Sequence, residues 1–291
     1  MKNKRVDCLF VHSDSSTKAY QTLSGKFSAI EPPTWSLLLA ESCRKKGFNV
    51  KILDCCAERL TLSEAVDRIN LINPIYTCFV VYGQNPNAGT TSMIGATALA
   101  ELIRKKNKNT IITFVGSHVS ALPKEVLSES YVDVVLLNEG VYALWNLLGS
   151  RLPKNKLENI RGIGWKNQKG LLILNQPEGI VPQEKMDEDL PGYAWDLLPM
   201  KNKPLDLYRS HVWHGDFNEN IRTPYAAIYT SLGCAFGCEF CMINIVNRIN
   251  NSDGISSSDS RVMRFWSPDW VIKQFRILRD MGVSTIRISD E

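Results

Sequence analysis

No run of eighteen apolar residues occurs in this chain, so nothing in it reads as a transmembrane helix. An excess of one charge is missing too: the net charge of +4 is too small to argue for a nucleic-acid partner or an anionic membrane. The opening residues do not read as a secretory leader. Lys2, Lys4 and Arg5 are basic, but Asp7 is acidic and the apolar run Cys8-Leu9-Phe10-Val11 is short. A cytoplasmic location is therefore expected. In that reducing compartment eight cysteines point to metal or catalytic use rather than to disulfides. No internal repeat or long low-complexity tract is evident, although Ser252–Ser260 is rich in Ser and Asp.

With those classes set aside, 291 residues with 44% hydrophobic content suggest about two globular domains. Residues 1–150 alternate strand and helix five times. Short runs of Val, Ile, Leu and Phe at Arg5–His12, Asn49–Asp54, Tyr76–Gly83, Thr110–Gly116 and Val132–Asn138 are separated by helical patterns. The helices fall at Thr34–Lys46, Ser63–Leu71, Thr91–Lys106, Pro123–Glu129 and Val141–Leu148. Gly47 stops the first, Thr61 and Glu64 fit a capping box, and Pro123 suits a first helical turn. Five βα units predict a parallel sheet covered on both faces, in the flavodoxin-like order 2-1-3-4-5, with ligands at the carboxyl ends of the strands. The loops there are long or rich in small polar residues: Ser13–Pro33, Gly83–Gly89, Gly116–Pro123 and Asn138–Gly140. Such loops let backbone N–H groups approach a large ligand.

Residues 151–222 read as a linker with a small hairpin, Gly162–Lys166 against Leu171–Leu174, followed by the acidic turn Met186–Gly192. Residues 223–291 begin a second domain. The strand Tyr225–Thr230 delivers the chain to Cys234-Ala-Phe-Gly-Cys238-Glu-Phe-Cys241, a helix follows at Pro268–Asp280, and Ser284–Ser289 reads as a buried strand. The cysteine loop thus sits at the carboxyl end of a barrel-type strand, where βα barrels place their active sites. Three soft thiolates at C-x3-C-x2-C suit an iron–sulfur cluster, zinc or Cu(I). A buried strand two residues before the last one predicts that the sequence stops inside its second domain, and that by itself it is catalytically poor.

The cysteine spacing resembles that of the radical S-adenosylmethionine (SAM) superfamily. Val115–Glu125, Asn138-Glu139-Gly140, Leu190-Pro191 and Tyr229–Gly233 resemble stretches of its cobalamin-dependent branch. That resemblance implies an α/β protein: a flavodoxin-like, cobalamin-binding-type sheet, a linker, and the truncated start of a radical SAM barrel. Cys234, Cys238 and Cys241 would ligate a [4Fe-4S] cluster whose open iron chelates SAM. Phe240 would pack near the adenine, with Asp290 and Glu291 near the SAM amino group. Ser13, Asn85, Gly116, Ser117, His118, Glu139 and Gly140 would contact cobalamin. The implied activity is a radical transformation, such as methylation, of a small-molecule or biosynthetic-intermediate substrate, with an external electron donor. The chain departs from the family patterns in three ways. Val115 stands where a glycine is expected, Lys124 separates Pro123 from Glu125, and no D-x-H-x-x-G motif follows His12.

Other readings of the same residues stay open at this level. The chain could be a non-catalytic cobalamin or nucleotide module with a structural zinc or iron–sulfur site, for which His211 or His214 could supply a fourth ligand. Cys8, Cys43, Cys55, Cys56 and Cys78 read as small apolar residues. Trp213, Trp266 and Trp270 read as packing, and Arg104-Lys105-Lys106 as a solvated helix end. His118 could be an ordinary loop histidine, and Asp290 and Glu291 could simply cap a strand.

Overall fold

A computed structural model describes residues 5–24, 28–82, 89–150, 154–210, 224–238, 241, 243 and 262–290. The first five strands are β1 (Cys8–His12), β2 (Val50–Asp54), β3 (Tyr76–Val80), β4 (Ile111–Val115) and β5 (Val134–Leu136). They pair in parallel in the order 2-1-3-4-5. Helices α1 (Ser16–Tyr20), α2 (Thr34–Lys45), α3 (Leu62–Ile72), α4 (Gly89–Lys106), α5 (Ser117–Ala121), α6 (Pro123–Ser128) and α7 (Val141–Ser150) lie between and after them. The expected fold and strand order are those observed. The loop expected at Gly116–Pro123 contains the short helix α5.

Side-chain alternation along the strands builds two cores. Leu9, Val11, Phe79 and Phe114 face α3 and α4, where they meet Val66, Ile69, Leu99 and Ile103. Cys8, Phe10, Cys78 and Val80 face α2 and α7, where they meet Leu38, Leu39, Leu144 and Leu147. Strands buried on both faces read as continuous apolar runs, which is why the sequence pattern located them. The helix ends obey local chemistry. Thr61 N donates to the Glu64 carboxylate at 2.9 Å while Glu64 N donates to Thr61 Oγ1 at 3.3 Å. Gly47, at φ +83°, turns the chain out of α2.

Beyond α7, β6 (Ile163–Lys166) and β7 (Leu172–Leu174) form the expected hairpin. It is not a separate minor sheet, however. β6 pairs antiparallel with β5, so the hairpin becomes the far edge of the main sheet. The reason lies in β5: three buried residues need backbone partners on both sides. Gly164 permits the approach, since a Cβ there would lie 2.6 Å from Leu174 and 2.7 Å from Val135.

The chain then passes through α8 (Met186–Asp189) to β8 (Tyr225–Ile228), β9 (Ser231–Leu232), β10 (Arg264–Phe265), α9 (Pro268–Asp280) and β11 (Thr285–Ile288). β8 and β11 pair in parallel, and β9 pairs antiparallel with β10. Tyr225, Ile228, Trp266, Trp270 and Leu278 join the core on the α2–α7 face, which fixes this region against the sheet domain. Trp266 and Trp270 stack with ring centroids 4.6 Å apart, as packing residues. The final strand differs from expectation: β11 has no buried position, because among the described residues only β8 pairs with it.

Candidate cofactor cavity and cysteine loop

A cavity of about 290 Å³ opens at the carboxyl ends of β1 and β3. Its floor comes from the sheet domain through His12, Ser13, Ser36, Val80 and Tyr82, and its wall from Tyr229, just past β8, and Arg287 of β11. His12 and Asp54 end adjacent strands in register, and His12 Nδ1 lies 3.0 Å from Asp54 Oδ1. Asp54 is fully buried. It also accepts a hydrogen bond from Tyr208 Oη at 2.8 Å and from Ala57 N at 3.0 Å. Burial alone would hold His12 below the ordinary histidine value. The Asp54 carboxylate, with a smaller contribution from Asp14, outweighs that effect and leaves the imidazole pKa raised. Burial first, then Asp54, pushes the Tyr208 phenol up, so it keeps its proton and donates. The result is an imidazole oriented by a carboxylate, with Nε2 as its remaining polar atom.

The cavity wall is also tied down. Glu31 accepts from Tyr225 Oη and Arg287 Nη1, each at 2.9 Å. Burial raises the Glu31 pKa, and these two donors only partly offset it. Ser36 lines the cavity with a buried hydroxyl that has no partner among the described residues. An orphaned hydroxyl and a held imidazole on the cavity lining suit a ligand carrying both donors and acceptors.

The expected cobalamin contacts separate into two groups. Ser13 lines the cavity. Gly116, Ser117, His118, Glu139 and Gly140 sit at the ends of β4 and β5, outside the lining. Gly116 has φ +156°, and a Cβ there would lie 2.3 Å from Val81 O; Gly140 has φ +76° and packs on Val115. Both therefore serve close backbone packing. Ser117 is buried, its Oγ against Gly89. His118 Nδ1 meets Thr90 Oγ1 at 3.1 Å, and burial lowers its pKa, which favours the neutral ring. Glu139 is buried in an ion pair with Arg264 of β10 and accepts from Val181 N at 3.1 Å. Its carboxylate thus links the two regions instead of facing the cavity. Asn85 lies outside the described residues.

His12, Asp54, Tyr208 and Ser36 were missed as a group. The available signal was a polar residue at the end of each of two neighbouring strand runs. Of the cysteines read as apolar, Cys8, Cys43, Cys55 and Cys78 are buried, and burial raises the pKa of Cys8 and Cys43 well above the ordinary thiol value. Cys56 is half-buried and lines the cavity.

The cysteine loop leaves β8 through Tyr229 and Thr230. Tyr229 N donates to Tyr193 Oη at 2.8 Å, and Tyr193 Oη donates to Tyr229 O at 3.2 Å. Gly233, at φ +87°, crosses the Val262 carbonyl so closely that a Cβ would lie 2.1 Å from its oxygen. Cys238 is exposed, while Cys234 and Cys241 are partly exposed. Phe236 N donates to Cys234 Sγ at 3.4 Å, and Cys241 N to Cys238 O at 3.1 Å. No group of three metal-ligating side chains is gathered among the described residues. Asp290 faces the backbone at Thr230 and Ser231. Phe240, Glu291, His211 and His214 lie outside the described residues, and no helix among the described residues is long and apolar enough to cross a membrane.

Comparison with known proteins bears on this arrangement. Residues 20–148 match the family model for the B12 binding domain. Over 211 residues the chain is 28% identical to an uncharacterized methyltransferase of Pyrococcus horikoshii, covering 72% of this chain and 40% of that protein. Over 207 residues it is 27% identical to the hopanoid C-3 methylase of Methylococcus capsulatus, covering 70% and 34%. The chain therefore spans well under half the length of these relatives. Among solved structures, the cobalamin-dependent SAM radical enzyme OxsB, with aqua-cobalamin and SAM bound, superposes with a TM-score of 0.67 at 17% identity. That match covers 98% of this chain and 34% of OxsB. The radical SAM methyltransferase TsrM of Kitasatospora setae gives 0.61 at 15% identity, covering 99% and 48%. These likenesses show a shared fold. Residues 20–148 thus match the B12 binding domain, on an α/β fold that the chain shares with OxsB and TsrM.

Proposed function

We propose that this chain is the cofactor-presenting part of a radical SAM enzyme, in which a corrinoid on the sheet domain faces a [4Fe-4S] cluster on Cys234, Cys238 and Cys241. One observation carries the reading: the cavity on the B12-binding domain is walled by Tyr229 and Arg287, and Tyr229 belongs to the strand exit that leads into the cysteine loop. When bound, the cluster would supply the electron that cleaves SAM, and cobalamin would supply methyl-carrying chemistry. The chain's own residues hold and orient. His12, fixed by Asp54 and Tyr208, offers an imidazole nitrogen to the cavity ligand. Ser13 and Ser36 offer hydroxyls, and the Glu31–Arg287 pair closes the wall. Tyr193 and Gly233 fix the path of the cysteine loop. Methylation, or another radical transformation of a small-molecule or biosynthetic-intermediate substrate, is the activity we infer for the enzyme, with an external electron donor.

The test is anaerobic reconstitution of the chain with iron and sulfide, followed by metal analysis and electron-spin spectra with and without SAM. Equilibrium dialysis against cobalamin is run on the same protein. Bound iron and sulfide, a SAM-dependent spectral change and saturable cobalamin binding are expected. Stoichiometric zinc without iron would overturn the cluster assignment, and absence of saturable binding would remove cobalamin.

A further inference from the structure

Asp290, just past β11, spends both carboxylate oxygens on the point where the cysteine loop begins. Oδ1 accepts from Thr230 N at 2.6 Å and from Ser231 N at 3.0 Å, and Oδ2 accepts from the Thr230 hydroxyl. The remaining backbone groups there are also engaged. Trp266 N donates to Thr230 O at 3.2 Å, and Ser231 pairs with Phe265 in the β9–β10 ladder. The chain is therefore held firmly just before the Gly233–Cys234 step, while the thiols beyond it remain partly or fully exposed.

We propose that Asp290 is a positioning residue for the cysteine loop: it fixes the root from which Cys234, Cys238 and Cys241 reach a shared cluster, and it does not itself contact SAM. The inference rests on the cluster reading above. Gathering three thiolates on one metal centre requires ordering the backbone between them, which costs conformational entropy at every residue fixed. A root ordered before the metal arrives removes part of that cost. A carboxylate suits the task, because hydrogen bonds to an ionised acceptor are roughly twice as strong as neutral ones. The assignment also accounts for an acidic residue at the end of a barrel-type strand whose oxygens are already engaged.

The experiment compares the wild-type chain with Asp290→Ala, Asp290→Asn and Thr230→Val after anaerobic reconstitution. It records iron and sulfide content, the rate at which a chelator removes iron, and the spin spectrum of the reduced cluster with and without SAM. Thermal melting by circular dichroism follows the fold. Asp290 is exposed and lies outside both buried cores, so each variant should still melt cooperatively from a folded state, with only a small shift in midpoint. Asp290→Ala, which removes all three bonds, should lose iron at least about tenfold faster than wild type, the factor expected for losing even one hydrogen bond to a charged group. Asp290→Asn, which keeps an acceptor oxygen, should fall between them, and Thr230→Val should show a smaller loss. Wild-type iron retention in Asp290→Ala would overturn the proposal. So would an Asp290→Asn variant that keeps its iron but loses the SAM-dependent spectral change, because Asp290 would then act on SAM. Failure of the wild-type chain to take up any iron would remove the cluster reading together with this inference; failure confined to the variant comparison would remove the inference alone.

Discussion

Two parallel strands of this molecule make a useful contrast: β3 is buried at every position and β11 at none. β3 runs between β1 and β4 with helices on both faces, whereas β11 pairs only with β8 among the described residues. The same difference separates the sites they serve. The cavity at the end of β3 is formed by side chains already locked through buried hydrogen bonds, as in the His12–Asp54–Tyr208 chain. The cysteine loop beside β11 has a fixed root and open tips. One region presents a site formed in advance; the other presents three thiols that are not gathered with one another among the described residues.

The contrast can be broken first at the joint between the regions. Arg264→Ala should leave the Glu139 carboxylate buried and unpaired, costing about 3–5 kcal/mol. Denaturant unfolding followed at a probe in each region should then show the second region melting before the sheet domain. A coincident transition with unchanged midpoint would show that the pair does not join them.

Next in size is the preformed cavity. Asp54→Asn should cost about 2 kcal/mol, because it replaces an acceptor that serves His12, Tyr208 and Ala57. It should also change the pH dependence. The His12 pKa is raised in the folded state, so the stability it contributes is fully present below the unfolded value of about 6.5 and is lost as pH rises through the folded value. In Asp54→Asn, burial acts without the carboxylate, so an NMR titration should place His12 lower than in the wild type. An unshifted titration would sever the link.

A local effect should be smaller. Thr61→Ala removes one half of the capping box at α3 and should cost about 1 kcal/mol, read as a shift in the urea midpoint. The smallest effect on stability sharpens the comparison most. Cys238→Ala alters an exposed side chain and should change stability by no more than about 0.5 kcal/mol, yet abolish iron uptake. A large loss of stability in metal-free Cys238→Ala would mean that the thiol has a packing role the structure does not show.

Much of the fold was legible because its causes are local or periodic. The five βα units followed from apolar runs, helix caps and Gly47, and parallel pairing with short connections leaves few strand orders. The hairpin was legible as a hairpin, but its place at the edge of the main sheet was not, because nothing near residue 164 records that β5 lacks a neighbour. The partners of the marked site residues were not legible. Glu139 and Asp290 were both marked as functional carboxylates. Their engagement with Arg264 and with the Thr230–Ser231 backbone joins residues far apart in the chain. His12 and Asp54 belong to different βα units and meet only because β1 and β2 are neighbours in register.

The sequence by itself determined the class of the sheet domain and the ends of its helices, and it narrowed three closely spaced thiols to soft-metal chemistry, since these depend on side-chain period, local capping and donor softness. Tertiary structure alone decided which polar groups still face the cavity and which are consumed as joints. Whether a carboxylate or imidazole is free to act depends on what is packed against it, and that is set by contacts between distant parts of the chain.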